Sequence, residues 1–521
     1  MTKQLLEARR TLWVTAGTVL VLFMIGNLPW QLDDYDQAKQ AFTSFQMIKE
    51  GCWLYQQTPH ENLATKPPLV GWISAGFFGL TRSWDLAWRL PSLLAAIALA
   101  LFLFRTASSA YGPVAGLIAF GAFGLNLLAP RLATLVRTDM PLALVIFLIG
   151  VLIWKKIRAQ SEWRLQDQVY IFVLLTIAML IKGPIVYAFL LPGIALFQWR
   201  GRVGAVRRQD AAARRAWQTA WPGWWPWVAS LAVFLLWVIG GILFQPGFFD
   251  EVVMREFVAR FGETIHRPQP LYFYLPHLLH KFAPWSVLII GIALVELHSR
   301  RWRWRSAFRE ISPETFWLLG WSLGGLVVMS LIPSKRVDRI FPVVPPLCLL
   351  LAAEIAKWSS NSHGSVSRLS TSPDSDLTGH RPVAAENAAA RAYQLSAAAL
   401  AFAILFTGGY TVIKVVSGYR HHRDALAIFG RDVRREMAAH HWRFEVVSVK
   451  DEGLLLYLQK THFIEPDHAI TEWNRGNLDA LVASTGKTPA LMRGLQAATL
   501  SQLKTGERRE EQGKGYVLIT R

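Results

Sequence analysis

Long apolar runs recur along this 521-residue chain, separated by short stretches crowded with arginine and lysine. Val14–Ile25, Leu93–Phe104 and Ala229–Phe244 approach or match the ~20 apolar residues needed to cross a bilayer. Backbone in hydrocarbon has to satisfy every N–H and C=O internally, so runs of this kind fold as helices. With 52% hydrophobic residues and a mean hydropathy of +0.27, the chain is too apolar for an ordinary soluble protein of its size. Its 23 tryptophans suit the same setting, because indole rings settle at the membrane interface. The formal charge of +19 therefore reads as cytoplasmic loops, not as a surface for nucleic acid. Cys52 and Cys348 lie in unlike contexts, and no disulfide is expected. Lys3, Arg9 and Arg10 precede an apolar run with no small-residue cleavage site after it, which predicts an uncleaved first span.

The excess of Lys and Arg in cytoplasmic loops fixes the threading. The N-terminus is inside, as are Lys155, Lys156, Arg158 and Arg164; Arg200, Arg202, Arg207, Arg208, Arg214 and Arg215; and Arg300, Arg301, Arg303, Arg305 and Arg309. Spans near 11–30, 86–106, 113–130 and 139–156 alternate between the first two groups, and residues 168–200 go out and return. Spans near 224–245, 276–297, 314–332, 340–357 and 394–416 bring the total to about eleven. Val70–Leu80 is too short to cross and would break the parity, so it reads as an interfacial helix on the outer face. The expected architecture is a membrane core over 1–357 with a first extracytoplasmic loop at 31–85, a flexible cytoplasmic linker at 358–393, rich in Ser, Pro, Asp and Ala, and a last span at 394–416. Residues 417–521 mix helical stretches with β-rich runs at Phe444–Val449, Leu454–Leu458 and Tyr516–Thr520, which predicts a small extracytoplasmic α/β domain.

This threading gathers the chemistry-bearing residues on one face. Asp33 and Asp34 follow the first span, and Asp139 opens another. A carboxylate there can act as a general base on an acceptor hydroxyl, bind a divalent cation, or cap the helix that follows. Lys66 precedes Pro67 and Pro68, whose fixed backbone gives the ammonium a stiff support suited to a phosphate group; a snorkelling interfacial lysine is the plain alternative. Arg89, Arg137, Arg267, Lys335 and Arg336 add cations, and His266 is open to metal ligation or to pairing with phosphate.

With these residues in order, the chain resembles the polyprenyl-phosphate-sugar-dependent glycosyltransferases of GT-C fold, in the group of the lipid A aminoarabinose transferases and, more distantly, the protein O-mannosyltransferases. The likeness runs over roughly 10–350 through Asp33-Asp34, Gly51-Cys52-Trp53, Lys66-Pro67-Pro68-Leu69, Arg89-Leu90-Pro91-Ser92, Thr138-Asp139-Met140-Pro141, Lys182-Gly183-Pro184, His266–Tyr274, Pro284-Trp285-Ser286 and Ser334-Lys335. The resemblance implies an all-α polytopic membrane protein of GT-C type, with about 11–13 transmembrane helices and the small C-terminal α/β domain. It implies a sugar donor carried on polyprenyl phosphate, undecaprenyl phosphate in bacteria, used at the periplasmic face of the inner membrane. The acceptor is a lipid such as lipid A, a glycan or a protein hydroxyl, and transfer proceeds with inversion. Asp33 is then the leading base, with Asp34 and Asp139 in support; Lys66, Arg89, Arg137, His266, Arg267, Lys335 and Arg336 face the donor phosphate. The expected partners are donor, acceptor and membrane lipids, without nucleic acid. No cofactor is certain; a divalent metal shared with His266 stays open, although Thr65 stands where the family often has Glu. Arg339 replaces a family Tyr, which puts the sugar's identity in doubt. The residue 417–521 domain is a candidate acceptor-recognition module. The rival class is a transporter or flippase of lipid-linked sugar, which would place paired half-repeats or buried charges at mid-membrane.

Overall fold

The structure, a computed structural model, describes residues 2–32, 34–60, 62–208, 219–258, 269–299, 311–368, 381–447, 451–506 and 515–521. Its helices, in chain order, are α1 (Thr2–Ile25), α2 (Tyr35–Glu50), α3 (Leu69–Thr81), α4 (Trp84–Tyr111), α5 (Pro113–Gly124), α6 (Ala129–Ala133), α7 (Asp139–Ala159), α8 (Leu165–Lys182), α9 (Ile185–Arg208), α10 (Trp225–Phe244), α11 (Tyr274–Lys281), α12 (Trp285–Ser299), α13 (Pro313–Leu331), α14 (Val344–Arg368) and α15 (Arg381–Arg420).

Among the described residues seven helices are long and apolar enough to cross a membrane, or eight if the bent pair α11–α12 counts as one span. The chain is a multi-pass membrane protein. The expected spans near 113–130 and at the second leg of 168–200 fall short, as does the described part of α1. The region near 113–130 is not one helix: α5 ends at Gly124, and buried Asn126 fills the break. Its amide donates to Ala122 O (2.9 Å) and Phe123 O (2.7 Å) and accepts from the N–H of Leu128 (2.9 Å) and Ala129 (2.8 Å). A second broken pair meets it. α11 and α12 are bent by 104° at Pro284, which has no N–H to continue a helix. Trp285 Nε1 donates to Leu125 O (2.8 Å), and Leu127 N donates to Lys281 O (3.0 Å). Each break thus satisfies backbone groups freed by the other, which the hydrocarbon setting demands.

α9 and α13 approach to backbone contact. A Cβ on Gly193 would sit 2.9 Å from Trp321 Cα, and one on Gly324 would sit 2.9 Å from Gly193 N. Small residues allow this closeness where lipid supplies no hydrophobic drive between helices.

The stretch expected as a linker is largely helical: α14 continues to Arg368 and α15 resumes at Arg381, with 369–380 outside the described residues.

Beyond α15 come α16 (Ala425–His440), β1 (Phe444–Val446), α17 (Glu452–Leu458), α18 (Pro466–Asn474), β2 (Ala480–Ser484), α19 (Thr488–Gly494), β3 (Thr499–Lys504) and β4 (Tyr516–Thr520). The sheet order is β1-β2-β4-β3, with β1 and β2 parallel and the other pairs antiparallel. Alternation splits the strands between two cores. Val446, Ala480, Val482, Tyr516 and Leu518 face one, and Leu481, Ala483 and Ile519 face the other with Trp473. The first of these cores also contains Leu32, Ala38, Ala41, Phe42 and Phe45 from the start of the chain. The C-terminal domain is therefore built partly on α2. Leu454–Leu458, expected as a strand, lies in the helix α17, in which every residue is buried; a short run apolar on all sides has no period to tell the two apart.

Candidate functional site

α2 carries one side of the site. Asp34 caps it, its Oδ1 accepting from Asp36 N at 3.2 Å, and Gly51 ends it in the left-handed region at φ 76°. The facing loop, between α6 and α7, is held by α4. Ser92 Oγ is hydrogen-bonded to the carbonyls of Leu135 (2.8 Å) and Arg137 (3.2 Å), and Gln37 Oε1 accepts from Val136 N (3.2 Å). The Arg137 side chain is thereby delivered into a ring of carboxylates. Nη2 lies 2.6 Å from Asp34 Oδ2 and 3.5 Å from Asp36 Oδ2, while Nη1 lies 2.7 Å from Asp338 Oδ2. Arg336 also closes on Asp36, and Arg131 lies 3.9 Å from Asp338. The guanidinium fork is only 11% exposed and serves three acids from two distant segments.

The second half of the site has the opposite balance. Lys66, on its Pro67-Pro68 support, reaches Gln40 Oε1 at 3.5 Å. Nearby, Lys182 at the end of α8 donates to Asp139 Oδ1 at 2.5 Å. Lys66 keeps some solvent contact, but the dense protein around it desolvates the ammonium, and the charge of Lys182 opposes it further. Asp139 offsets part of this, while Arg137 and Lys39 add to it, and the Lys66 pKa falls to about 7. This corner holds more fixed cation than it has anion to match.

The segment after α13 wraps these halves. Lys335, buried, donates from Nζ to Gln269 O (2.9 Å); Arg336 N donates to Tyr274 Oη (3.3 Å); Arg339 Nη1 donates to Ser334 O (2.9 Å). Asp34, Lys66, Arg137, Asp139 and Arg336 thus share one polar cluster. Lys335 joins the rim by way of Gln269. Asp33, His266 and Arg267 lie outside the described residues. Arg89 has other neighbours: it is 2% exposed, bonded to Asp85 (3.1 Å) and stacked 4.9 Å from the Trp30 ring centroid. Neither belongs to the Arg137 cluster. Four members were not singled out from sequence as site residues: Asp36, Gln40, Lys182 and Asp338. Asp36 had a local signal, a third acid within four residues of Asp33; Asp338, between Lys335-Arg336 and Arg339, gains meaning only once Arg137 is brought to it.

Among the described residues no group of three or more His, Cys, Asp or Glu is placed to hold a metal ion. Asp34 and Asp139 are instead engaged by Arg137 and Lys182.

Residues 65–207 match the family described as dolichyl-phosphate-mannose-protein mannosyltransferase. Among solved structures, ArnT from Cupriavidus metallidurans bound to undecaprenyl phosphate superposes with a TM-score of 0.67 at 17% identity, covering 97% of each chain. The chain has the GT-C fold. The undecaprenyl phosphate-alpha-4-amino-4-deoxy-L-arabinose arabinosyl transferase of Edwardsiella ictaluri is 24% identical over 357 residues, 67% of this chain and 60% of that protein. The same-named protein of Serratia proteamaculans is 30% identical over 127 residues, 24% of this chain and 21% of its own length. The chain thus spans less than two thirds of the length of these relatives. The family match takes in Lys66, Arg89, Arg137, Asp139 and Lys182, so the GT-C likeness in sequence includes the cation-rich half of the cluster.

Proposed function

We propose that this protein is an integral membrane glycosyltransferase that moves a sugar from a polyprenyl phosphate, undecaprenyl phosphate in bacteria, to an extracytoplasmic acceptor such as lipid A, another lipid, a glycan or a protein hydroxyl. The observation that carries the reading is the unbalanced cation corner at Lys66. An ammonium with its pKa lowered to about 7 regains its charge when a phosphate arrives, and a leaving phosphate gains negative charge in the transition state. In this reaction the acceptor oxygen forms a bond to the anomeric carbon from the side opposite the phosphate. The sugar–phosphate bond breaks with its electron pair on the lipid phosphate, configuration inverts, and the acceptor proton passes to a carboxylate. Both oxygens of Asp34 are occupied, one by Asp36 N and one by Arg137. That leaves Asp34 to position and Asp33 as the base. Lys66 takes the leaving phosphate, with Lys335, Arg336 and Arg267 contributing charge at the rim. A divalent metal near His266 would add charge to the same phosphate, and the proposed steps do not depend on it. The proposed location is the bacterial inner membrane, with the cluster on the periplasmic face, because the basic loops assign the other side to the cytoplasm.

The test uses purified protein in nanodiscs, a panel of undecaprenyl-phosphate sugars, and release of free undecaprenyl phosphate as the readout. Release that requires an acceptor and collapses in both Asp33→Asn and Lys66→Ala supports the transferase. If no donor is consumed while labelled lipid-linked sugar still crosses a liposome bilayer, the chain is a flippase.

A further inference from the structure

The acid pair that follows the first span is anchored from the far end of the chain. Leu32, immediately before Asp33, is completely buried, and its N–H is spent on one distant atom: Tyr457 Oη accepts it at 2.9 Å across 425 residues of sequence. The carbonyl of the same residue is closely approached by Gly453, where a Cβ would lie 2.1 Å from Leu32 O. Tyr457 and Gly453 lie one turn apart on α17, so one short helix grips the backbone of Leu32 at both its N–H and its C=O. The neighbours repeat the pattern. Arg89 stacks on Trp30 and stands close enough to the Tyr457 phenol to influence it electrostatically. Four helical residues after Asp34, Ala38 begins the face that shares a core with Leu426, Phe429, Val433 and Leu454.

Resting on the transferase reading above, we propose that Tyr457 is a positioning residue for Asp33 and Asp34, and that the C-terminal domain sets the reach of the base through this one hydrogen bond. The geometry gives the bond a specific task. Residues 26–32 lie between the end of α1 and the N-cap of α2, so no helix fixes the path of the chain into Asp34. Leu32 N–H is the last backbone donor before the acid pair, and it is buried, so without Tyr457 Oη it has nothing to bond to and the segment must move to find water. A base displaced by about 1 Å from its proton loses on the order of 100-fold in rate, while the binding of a phosphate at Lys66, on the other side of α2, is unaffected. A purely architectural role for the domain predicts something different: loss of donor binding and of turnover together.

The experiment compares the full-length wild type with Tyr457→Phe, Gly453→Ala and Asp479→Asn in nanodiscs. Phenylalanine keeps the ring in its core and removes the hydroxyl that accepts from Leu32 N–H. Gly453→Ala pushes Leu32 from the other side with Tyr457 intact. Asp479→Asn breaks the exposed Arg443–Asp479 pair (3.1 Å) of the same domain, away from Leu32. Three readouts are taken: undecaprenyl phosphate affinity, turnover with the donor that the panel identifies, and hydrogen exchange of the peptide containing Leu32. Tyr457→Phe and Gly453→Ala should each lower kcat by about tenfold or more with affinity for undecaprenyl phosphate within about twofold, and Tyr457→Phe should speed exchange at Leu32 roughly tenfold. Asp479→Asn should leave all three near wild type. The proposal is overturned if Tyr457→Phe turns over like wild type, or if affinity and kcat fall in parallel. If wild type neither binds undecaprenyl phosphate nor consumes any donor, the transferase reading fails; the exchange result then still reports whether Tyr457 pins Leu32.

Discussion

Two cations sit side by side in the site and live under opposite conditions. Arg137 is surrounded by Asp34, Asp36 and Asp338, at 2.6, 3.5 and 2.7 Å. Lys66 has the neutral Gln40 amide at 3.5 Å and is pressed by Lys182, Arg137 and Lys39. Both charges are part-buried, so both have given up hydration; carboxylates bond Arg137 directly, whereas the charge of Asp139 offsets only part of the loss at Lys66. A saturated cation holds structure together: it ties α2 to the segment before α14 through the loop ahead of α7. An unsaturated cation stores an affinity for something absent from the chain itself. The site is thereby divided into a frame and a receptor, and the division is visible in charge alone.

The comparison breaks most sharply at Arg137. Arg137→Met strips Asp34 of its cation and leaves only Arg336 on Asp36 and Arg131 near Asp338, so stability should fall by about 3 kcal/mol, with turnover lost as α2 shifts; thermal unfolding in nanodiscs measures it. Lys66→Met is next in size and opposite in kind. It should weaken undecaprenyl phosphate binding roughly 100-fold while leaving the melting temperature unchanged or higher, because a desolvated charge bonded to no carboxylate is removed. If Lys66→Met melts as low as Arg137→Met, the division into frame and receptor is wrong.

A smaller effect sharpens the receptor side. Only protonated Lys66 attracts phosphate, and its pKa is lowered to about 7. Binding should therefore be strong below pH 7 and weaken as pH rises through that value, by ~5-fold between pH 7 and 8. Lys66→Arg remains charged and should lose this component, so the difference between the two pH profiles separates the side chain from the titration of the lipid phosphate itself. The smallest effect lies at the domain junction. Glu452 is 2% exposed and Oε2 has no partner among the described residues; burial raises its carboxyl to about 7, with Lys39 opposing. An acid with a raised folded pKa binds its proton more tightly in the native state, so stability falls as pH rises from about 4.5 to 7. Glu452→Gln should raise Tm by roughly 2 °C at pH 8 and leave it unchanged at pH 4. Equal shifts at both pH values would remove the assigned cause.

The motif residues in the cluster were legible because the chemistry of each depends on a local pattern: an acid after a span, a lysine before two prolines, an arginine two residues ahead of Asp139. Their partners were not. Asp338 looked like one charge among several in Lys335–Arg339, and its pairing with Arg137 depends on α13 and α14 bringing residues 201 positions apart into contact. Charge parity treats every apolar stretch as continuous; Asn126 and Pro284 break two of them at places where neighbouring backbone repairs the damage. The sheet was half visible. Tyr516–Thr520 carries β-branched and aromatic residues, whereas β2, with Ala480 and Ala483 facing opposite cores, has too little side chain to announce itself. Arg89 is expected from sequence among the cations for the donor phosphate; in the structure it stacks on Trp30, and Ser92 of the same motif holds the Arg137 loop.

The shared core beneath α2 also sets an order of assembly. Ala38, Ala41, Phe42 and Phe45 leave the ribosome well ahead of the residues that cover them, from Leu426 to Leu518. Until the later segment is made, the helix that carries the acids shows bare phenylalanine to its surroundings, a state that aggregates or is degraded if it lasts. Chains halted before β4 should be cleared rather than accumulate, because the cover of α2 is then still incomplete.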